Sequence, residues 1–302
     1  HASRTGQRGE TVWETWRADG QREGSRVREG LRVGVTAALQ RLGEGFLQHP
    51  GNEALRLALI SGDLSKKDYF EQLLRLVYRC IFLFAVEERE LLHPRDGSPL
   101  AAAARQVYRE GYSAGRLRER CLRRLARDAH DDLWQALIIV FRALATGQPR
   151  LALPALGGLF AGDQCPYLDT ASLSNRALLD AIRHLRWSSA SGSLAPVDYR
   201  NMGPEELGSV YESLLELVPE PDPHARSFGF VGADGEGSTQ GNARKTSGSY
   251  YTPDSLVQEL IKSALDPVIE ARIAAQPDRP TDALLSISVV DPACGSGHFL
   301  LA

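Results

Sequence analysis

The sequence predicts a mainly α fold: a helical N-terminal domain, followed by the first helix and strand of a second, truncated domain of α/β type. Three observations carry this reading. Over residues 22–203 apolar side chains recur at helical spacing with few strand patterns. Over residues 219–249 the composition shifts to Gly, Pro, Ser, Asp and Asn, which reads as a loop or linker rather than a packed element. Beyond it, an amphipathic helix precedes residues 284–290, an apolar run that reads as a buried strand, and this order suits a helix covering a parallel sheet. The expected domains are therefore residues 1–218, a linker over 219–249, and the start of a second domain over 250–302.

Each element has its own signal. Trp13 and Trp16 either anchor a helix or cap a core, and the composition of the first ~60 residues permits no sharper reading. Residues 52–60 read as a helix. Ser65, with Asp68 three positions on, forms a capping-box-like start for a core helix carrying Tyr69, Phe70, Leu73, Leu74, Leu76 and Val77. After Arg79 that helix is apolar all round, which predicts enclosure by neighbours, and residues 87–90 mark where it emerges. Further helices are expected over 100–108, 116–127, 131–146 and 175–187, and Pro204 suits the first turn of one over 205–217. Residues 228–231 can form a short strand inside the linker. Thr252 and Pro253 supply an N-cap and a first-turn proline for a helix with Leu256, Val257, Leu260, Ile261, Ala264, Val268 and Ile269 on one face.

A net charge of −3 argues against a protein that coats polyanions wholesale, though a local basic surface remains compatible with it. Cys80, Cys121, Cys165 and Cys294 have no paired spacing for zinc or a redox couple, so reduced thiols in a cytoplasmic protein are expected. The apolar run over 80–86 is far short of the ~20 residues of a membrane span. The chain begins with His1 and stops just after a turn, which reads as a piece of a larger protein.

Two short segments carry chemistry. The run Asp291-Pro292-Ala293-Cys294-Gly295-Ser296-Gly297 places an acidic residue and a Gly-x-Gly turn at the end of the expected strand. Such a turn can hold a nucleoside-containing ligand, with Asp291 accepting from an ammonium group and main-chain N–H groups facing polar atoms; equally, it can be a tight strand-to-helix connection without a ligand. In Tyr250-Tyr251-Thr252-Pro253, the aromatic rings can enclose a planar base, or the segment can be an N-cap with core tyrosines.

Together, in this order and spacing, the two segments resemble the DNA methyltransferases that modify adenine at N6. The resemblance implies a Rossmann-like domain, truncated here, that binds S-adenosylmethionine. It implies that Tyr250, Tyr251, Thr252 and Pro253 flank the methionine end of that cofactor. Asp291, Pro292, Ala293, Cys294, Gly295, Ser296 and Gly297 would form its main cradle, with Phe299 close by. Residues 207–216, 74–89 and 153–160 also look like the large single-chain methyltransferases of bacterial defence, including type IIG restriction-modification enzymes and the methylases of BREX and DISARM systems. The family's Asn/Asp-Pro-Pro-Tyr/Phe motif, which holds the flipped adenine, is absent from this sequence. The chain alone is accordingly expected to lack catalytic residues, to be inactive, and to bind the cofactor weakly or not at all. DNA and other subunits of a defence system are the partners implied. No metal site is expected.

The stretch 105–127 is locally basic. On a helix from Arg116, the residues Leu117, Cys121, Leu122 and Leu125 would face inward, and Arg116, Arg120, Arg123, Arg124 and Arg127 outward. These arginines serve either as a solvated face paired with nearby carboxylates or as contacts to DNA phosphates. Glu212 and Glu216 read as a helix-surface pair, and Cys294 with His298 as packing or solvent-facing groups rather than a nucleophile and base. A different class of protein, a non-catalytic helical module that binds DNA or a partner subunit, is the competing expectation.

Overall fold

The computed structural model describes residues 12–188, 195–203, 208, 210, 214, 217–231, 252, 254–292, 294 and 297–302, and in the first helix the side chains from Gly30 on. The described chain is mainly helical. It divides into two compact units, one of residues 1–202 with 213–238 and one of residues 203–212 with 239–302. The helix expected over 205–217 falls almost wholly outside the described residues.

The first unit is built on α1 (Val12–Gln48), a single long helix that its composition did not reveal. After it come α2 (Glu53–Ser61), α3 (Lys66–Glu88), α4 (Pro99–Gly111), α5 (Ala114–Arg120), α6 (Asp132–Thr146) and α7 (Asn175–Arg186). The helix starts follow from local chemistry. Ser65, Ser98 and Ser174 each accept from the main-chain N–H three residues on, at Asp68, Ala101 and Ala177, a cap whose loss typically costs ~1 kcal/mol. As the sequence predicts, α3 is the enclosed helix: Tyr69, Leu73, Val77, Leu83 and Phe84 are buried. It packs against α1 and against a helix-poor segment over 149–173, whose Leu151, Leu153, Phe160, Cys165 and Leu168 complete the core.

Polar staples hold that segment in place. The Gln72 side-chain oxygen accepts from the N–H groups of Tyr167 (3.0 Å) and Leu168 (3.3 Å). Asn52 is buried and bridges distant chain: its amide donates to the carbonyls of Phe46 and Ser172, and its oxygen accepts from Ser172 N–H at 2.8 Å. Arg79, wholly buried, donates to the Leu159 carbonyl at 2.9 Å and to the Asp169 carboxylate at 2.6 Å. Its guanidinium also lies over the Phe141 ring, 5.1 Å from the centroid. Residues 74–89 and 153–160, both part of the resemblance, therefore meet directly at Arg79.

Three expectations about this unit are corrected. The helix predicted over 116–127 stops at Arg120 and gives way to a turn and a short 3-10 segment, Arg124–Ala126. Leu117 and Cys121 face inward as expected, but Leu122 is 54 % and Leu125 95 % exposed, because the chain leaves helical register before reaching them. Second, the charged run 87–90, which begins in the last turn of α3, is not simply solvated. The Glu87 carboxylate accepts from Tyr108 O–H (2.5 Å) and from the N–H groups of Ala114 and Gly115 (both 2.8 Å), so it caps α5, while Glu88 pairs with Arg118. Third, residues 219–230 are not a linker. They form a hairpin of β3 (Pro219–Asp222) and β4 (Ser227–Phe230), after the two-residue ladder of β1 (Trp187–Ser188) and β2 (Ala195–Pro196). Phe228 packs edge-on against Tyr69 (5.9 Å between centroids) and Phe230 against Phe70 (5.7 Å). Two aromatics in alternate positions outweigh the turn-rich composition around them. Gly43 on α1 makes room for this hairpin, since a Cβ there would lie 2.6 Å from the Phe228 ring.

The second unit contains α8 (Asp254–Leu260), a π-helical turn (Ile261–Leu265) and α9 (Asp266–Ala275) as one continuous run, then α10 (Pro280–Leu285) and α11 (His298–Leu301). The π turn sits just before Pro267, which lacks an N–H and crowds the carbonyl four residues back, so the wider turn absorbs the break. The strand expected over 284–290 does not form. Residues 284 and 285 end α10, and 286–290 run without strand pairing, leaving Leu285 80 % and Val290 84 % exposed. A strand exists only through its neighbours' main-chain bonds, and the described residues offer this one none.

Candidate cofactor turn and basic surface

Of the segment from Asp291 to Gly297, residues 291, 292, 294 and 297 are described, and the strand expected before it does not form. Gly297 adopts φ +81°, a left-handed conformation that glycine accommodates without strain, and its N–H donates to the Cys294 carbonyl at 2.8 Å. The Leu300 N–H then donates to the Gly297 carbonyl at 3.0 Å and starts α11. From Gly297 the chain passes directly into helix. Asp291, Cys294 and Phe299 are half-buried and Pro292 is exposed. Thr252 is half-buried and lies two residues before α8. Tyr250, Tyr251, Pro253, Ala293, Gly295 and Ser296 lie outside the described residues. All residues of both segments belong to the second unit.

The basic stretch is assembled differently from the single helix face expected. Arg123 and Arg124 are exposed, and Arg116 and Arg120 half-buried. Burial and the neighbouring Arg120 charge pull the Arg116 guanidinium below its ordinary pKa, so these two cations crowd one another. Arg116 donates to the Gly111 carbonyl, and Arg127 is paired with Asp180 of α7. Arg127 is thus partly spent on holding the fold together. Arg118 faces inward, stacked over Phe84 (5.3 Å) and Tyr199 (5.1 Å).

The sequence reading missed what α7 adds. Burial raises the Cys121 thiol's pKa, and the guanidinium groups of Arg186, Arg183, Arg127 and Arg118 act against that rise, so two arginines of α7 join the cluster. Their signal was present as Arg183, His184 and Arg186 in the last helical turn, where cations complement the helix dipole. Only the packing of α7 brings them to residues 121–127.

Among the described residues no group of three His, Cys, Asp or Glu is arranged to hold a metal ion, and no helix is long and apolar enough to cross a membrane. Compared with models of protein families, with curated proteins and with solved structures, the chain matches none.

Proposed function

We propose that this chain is the N-terminal part of an S-adenosylmethionine-dependent methyltransferase that modifies adenine N6 in DNA, in a bacterial restriction or phage-defence system. The observation that carries the reading is the ordered pair of segments, Tyr250 to Pro253 before one helix and Asp291 to Gly297 before another, both in the second unit. The left-handed Gly297 supports it, because a bend of that kind lets main-chain N–H groups approach a ligand closely. In this reading Thr252 and Asp291 hold the amino-acid end of the cofactor, and the first unit carries the DNA. The protein would act in the cytoplasm. Methyl transfer would be accelerated by aligning the sulfonium methyl with the amino nitrogen, which the rest of the site must supply.

The test is methyl transfer by the natural full-length gene product, using S-adenosylmethionine labelled in its methyl group and unmethylated duplex DNA. Label recovered as N6-methyladenine, and lost in Asp291→Ala, is the expected result. No label in DNA, from a protein that still binds duplex, leaves the non-catalytic helical module as the correct reading.

A further inference from the structure

We infer that the cleft between α1 and α7 is a seat for a backbone phosphodiester of DNA, gripped by Arg41 and Arg183 beside His184. This deepens the proposed function and rests on its DNA-binding half.

The cleft has a volume of about 400 Å³, and its walls are two helix faces. On α1, Gly30, Gly34, Ala37 and Arg41 follow one another at intervals of four, three and four, which places them on one side of the helix. On α7, Asp180, Arg183 and His184 lie three and four positions apart from Asp180 and so share one side, and Trp187 follows directly after the helix ends. The small residues keep the floor open and let the helices close: a Cβ on Gly34 would lie 2.6 Å from the His184 carbonyl oxygen. Arg127 reaches the same cleft from the segment after α5.

Charge in the cleft is unbalanced. Its lining includes Arg41, Arg127 and Arg183 against the single carboxylate of Asp180, and Asp180 is already paired with Arg127. Arg183 has no carboxylate partner among the described residues, and Arg41 makes only a 3.5 Å contact with Glu44 on the exposed side of its own helix. Both guanidinium groups are on exposed residues, so they keep donors available. The field of the cluster registers on His184: burial, and then the charges of Arg41, Arg183 and Arg127, hold its imidazole below the ordinary histidine range. An anion between them would remove that repulsion. A guanidinium fork matches two phosphate oxygens, and phosphate contacts of this kind position a duplex without reading its sequence. Arg123 and Arg124 are exposed on the segment that supplies Arg127.

The experiment measures duplex affinity against salt concentration for the full chain and for the Arg41→Ala/Arg183→Ala variant, with the His184 ring followed by NMR. Both substituted residues are exposed, and folding is checked by circular dichroism. Expected are weaker binding by the variant on every duplex sequence, a salt slope reduced by about 1 for each guanidinium removed, and a rise in the His184 pKa when DNA binds. If the wild type binds DNA and the variant binds equally well with the same slope, the seat is overturned and the DNA reading stands. If the wild type ignores DNA but inorganic phosphate moves the His184 ring, the phosphodiester assignment is overturned in favour of a free phosphate ligand. If neither probe acts, the seat fails altogether. Methyl transfer is read separately, so the enzyme reading stands or falls on its own assay.

Discussion

Arg79 and Asp169 meet at 2.6 Å, ninety positions apart, with the guanidinium wholly buried and the carboxylate at the edge of the core. The pair ties the middle of α3 to the segment that closes the first unit. Removing the cation leaves Asp169 and the Leu159 carbonyl without their donors. We expect Arg79→Ala and Asp169→Asn each to lower the unfolding free energy by about 3–5 kcal/mol in urea titrations, the second because it leaves a buried cation without its countercharge. Arg79→Lys should not rescue it, since an ammonium cannot serve both acceptors and lie flat on Phe141.

Glu87 gives the first unit a pH dependence of definite sign. Burial raises its pKa, and the hydrogen bonds from Tyr108, Ala114 and Gly115 and the charge of His93 only partly offset this. The folded state therefore holds this proton more tightly than the unfolded state, and the residue's contribution to stability falls as pH rises from about 4.3 through the raised value. The difference between the stability–pH curves of wild type and Glu87→Gln should show that fall in the wild type alone. Parallel curves would mean that Glu87 titrates normally.

Thiol reactivity should be graded by depth. Burial pushes Cys80 up to about 12 and Cys165 up to about 11, and both side chains are enclosed. Cys121 is buried as well, whereas Cys294 in the glycine turn is half-exposed. An alkylating reagent at neutral pH is expected to label Cys294 first, and the other thiols only as the first unit unfolds. Mass spectrometry of the labelled peptides checks the order.

Gly43 should tolerate no side chain. In Gly43→Ala the new methyl would enter the Phe228 ring, so the hairpin must shift away from α1. A loss of about 1–3 kcal/mol is expected, with protease cleavage appearing within 219–230 before the helices yield. Unchanged cleavage there would mean that the hairpin is held by its contacts with α3 alone.

Helices with a sustained apolar period were legible in the sequence: α3 and α7, each behind a serine cap, and α6, without one, lie where residues alone placed them, within a residue or two. Legibility failed where tertiary contacts decide. Leu122 and Leu125 fit a helical period, but the chain turned at Cys121 to bring Arg127 to Asp180. Leu284 to Val290 had the composition of a strand and lacked only neighbours. Arg41 and Arg183 are separated by most of the first unit, and no local pattern relates them. In the segment after Asp291, Gly297 takes the left-handed conformation that only glycine adopts freely.

The Asn52 staple also sets an order of events during synthesis. Its partner, Ser172, leaves the ribosome 120 residues later, and α1 waits longer still for the Phe228 ring that covers Gly43. Until those residues emerge, α1 has only part of its packing surface covered, by α3. Loop closure over such distances is slow, so the nascent chain passes through a stage in which α1 is exposed to chaperones or to its own copies. A cut anywhere before the hairpin would leave that stage permanent.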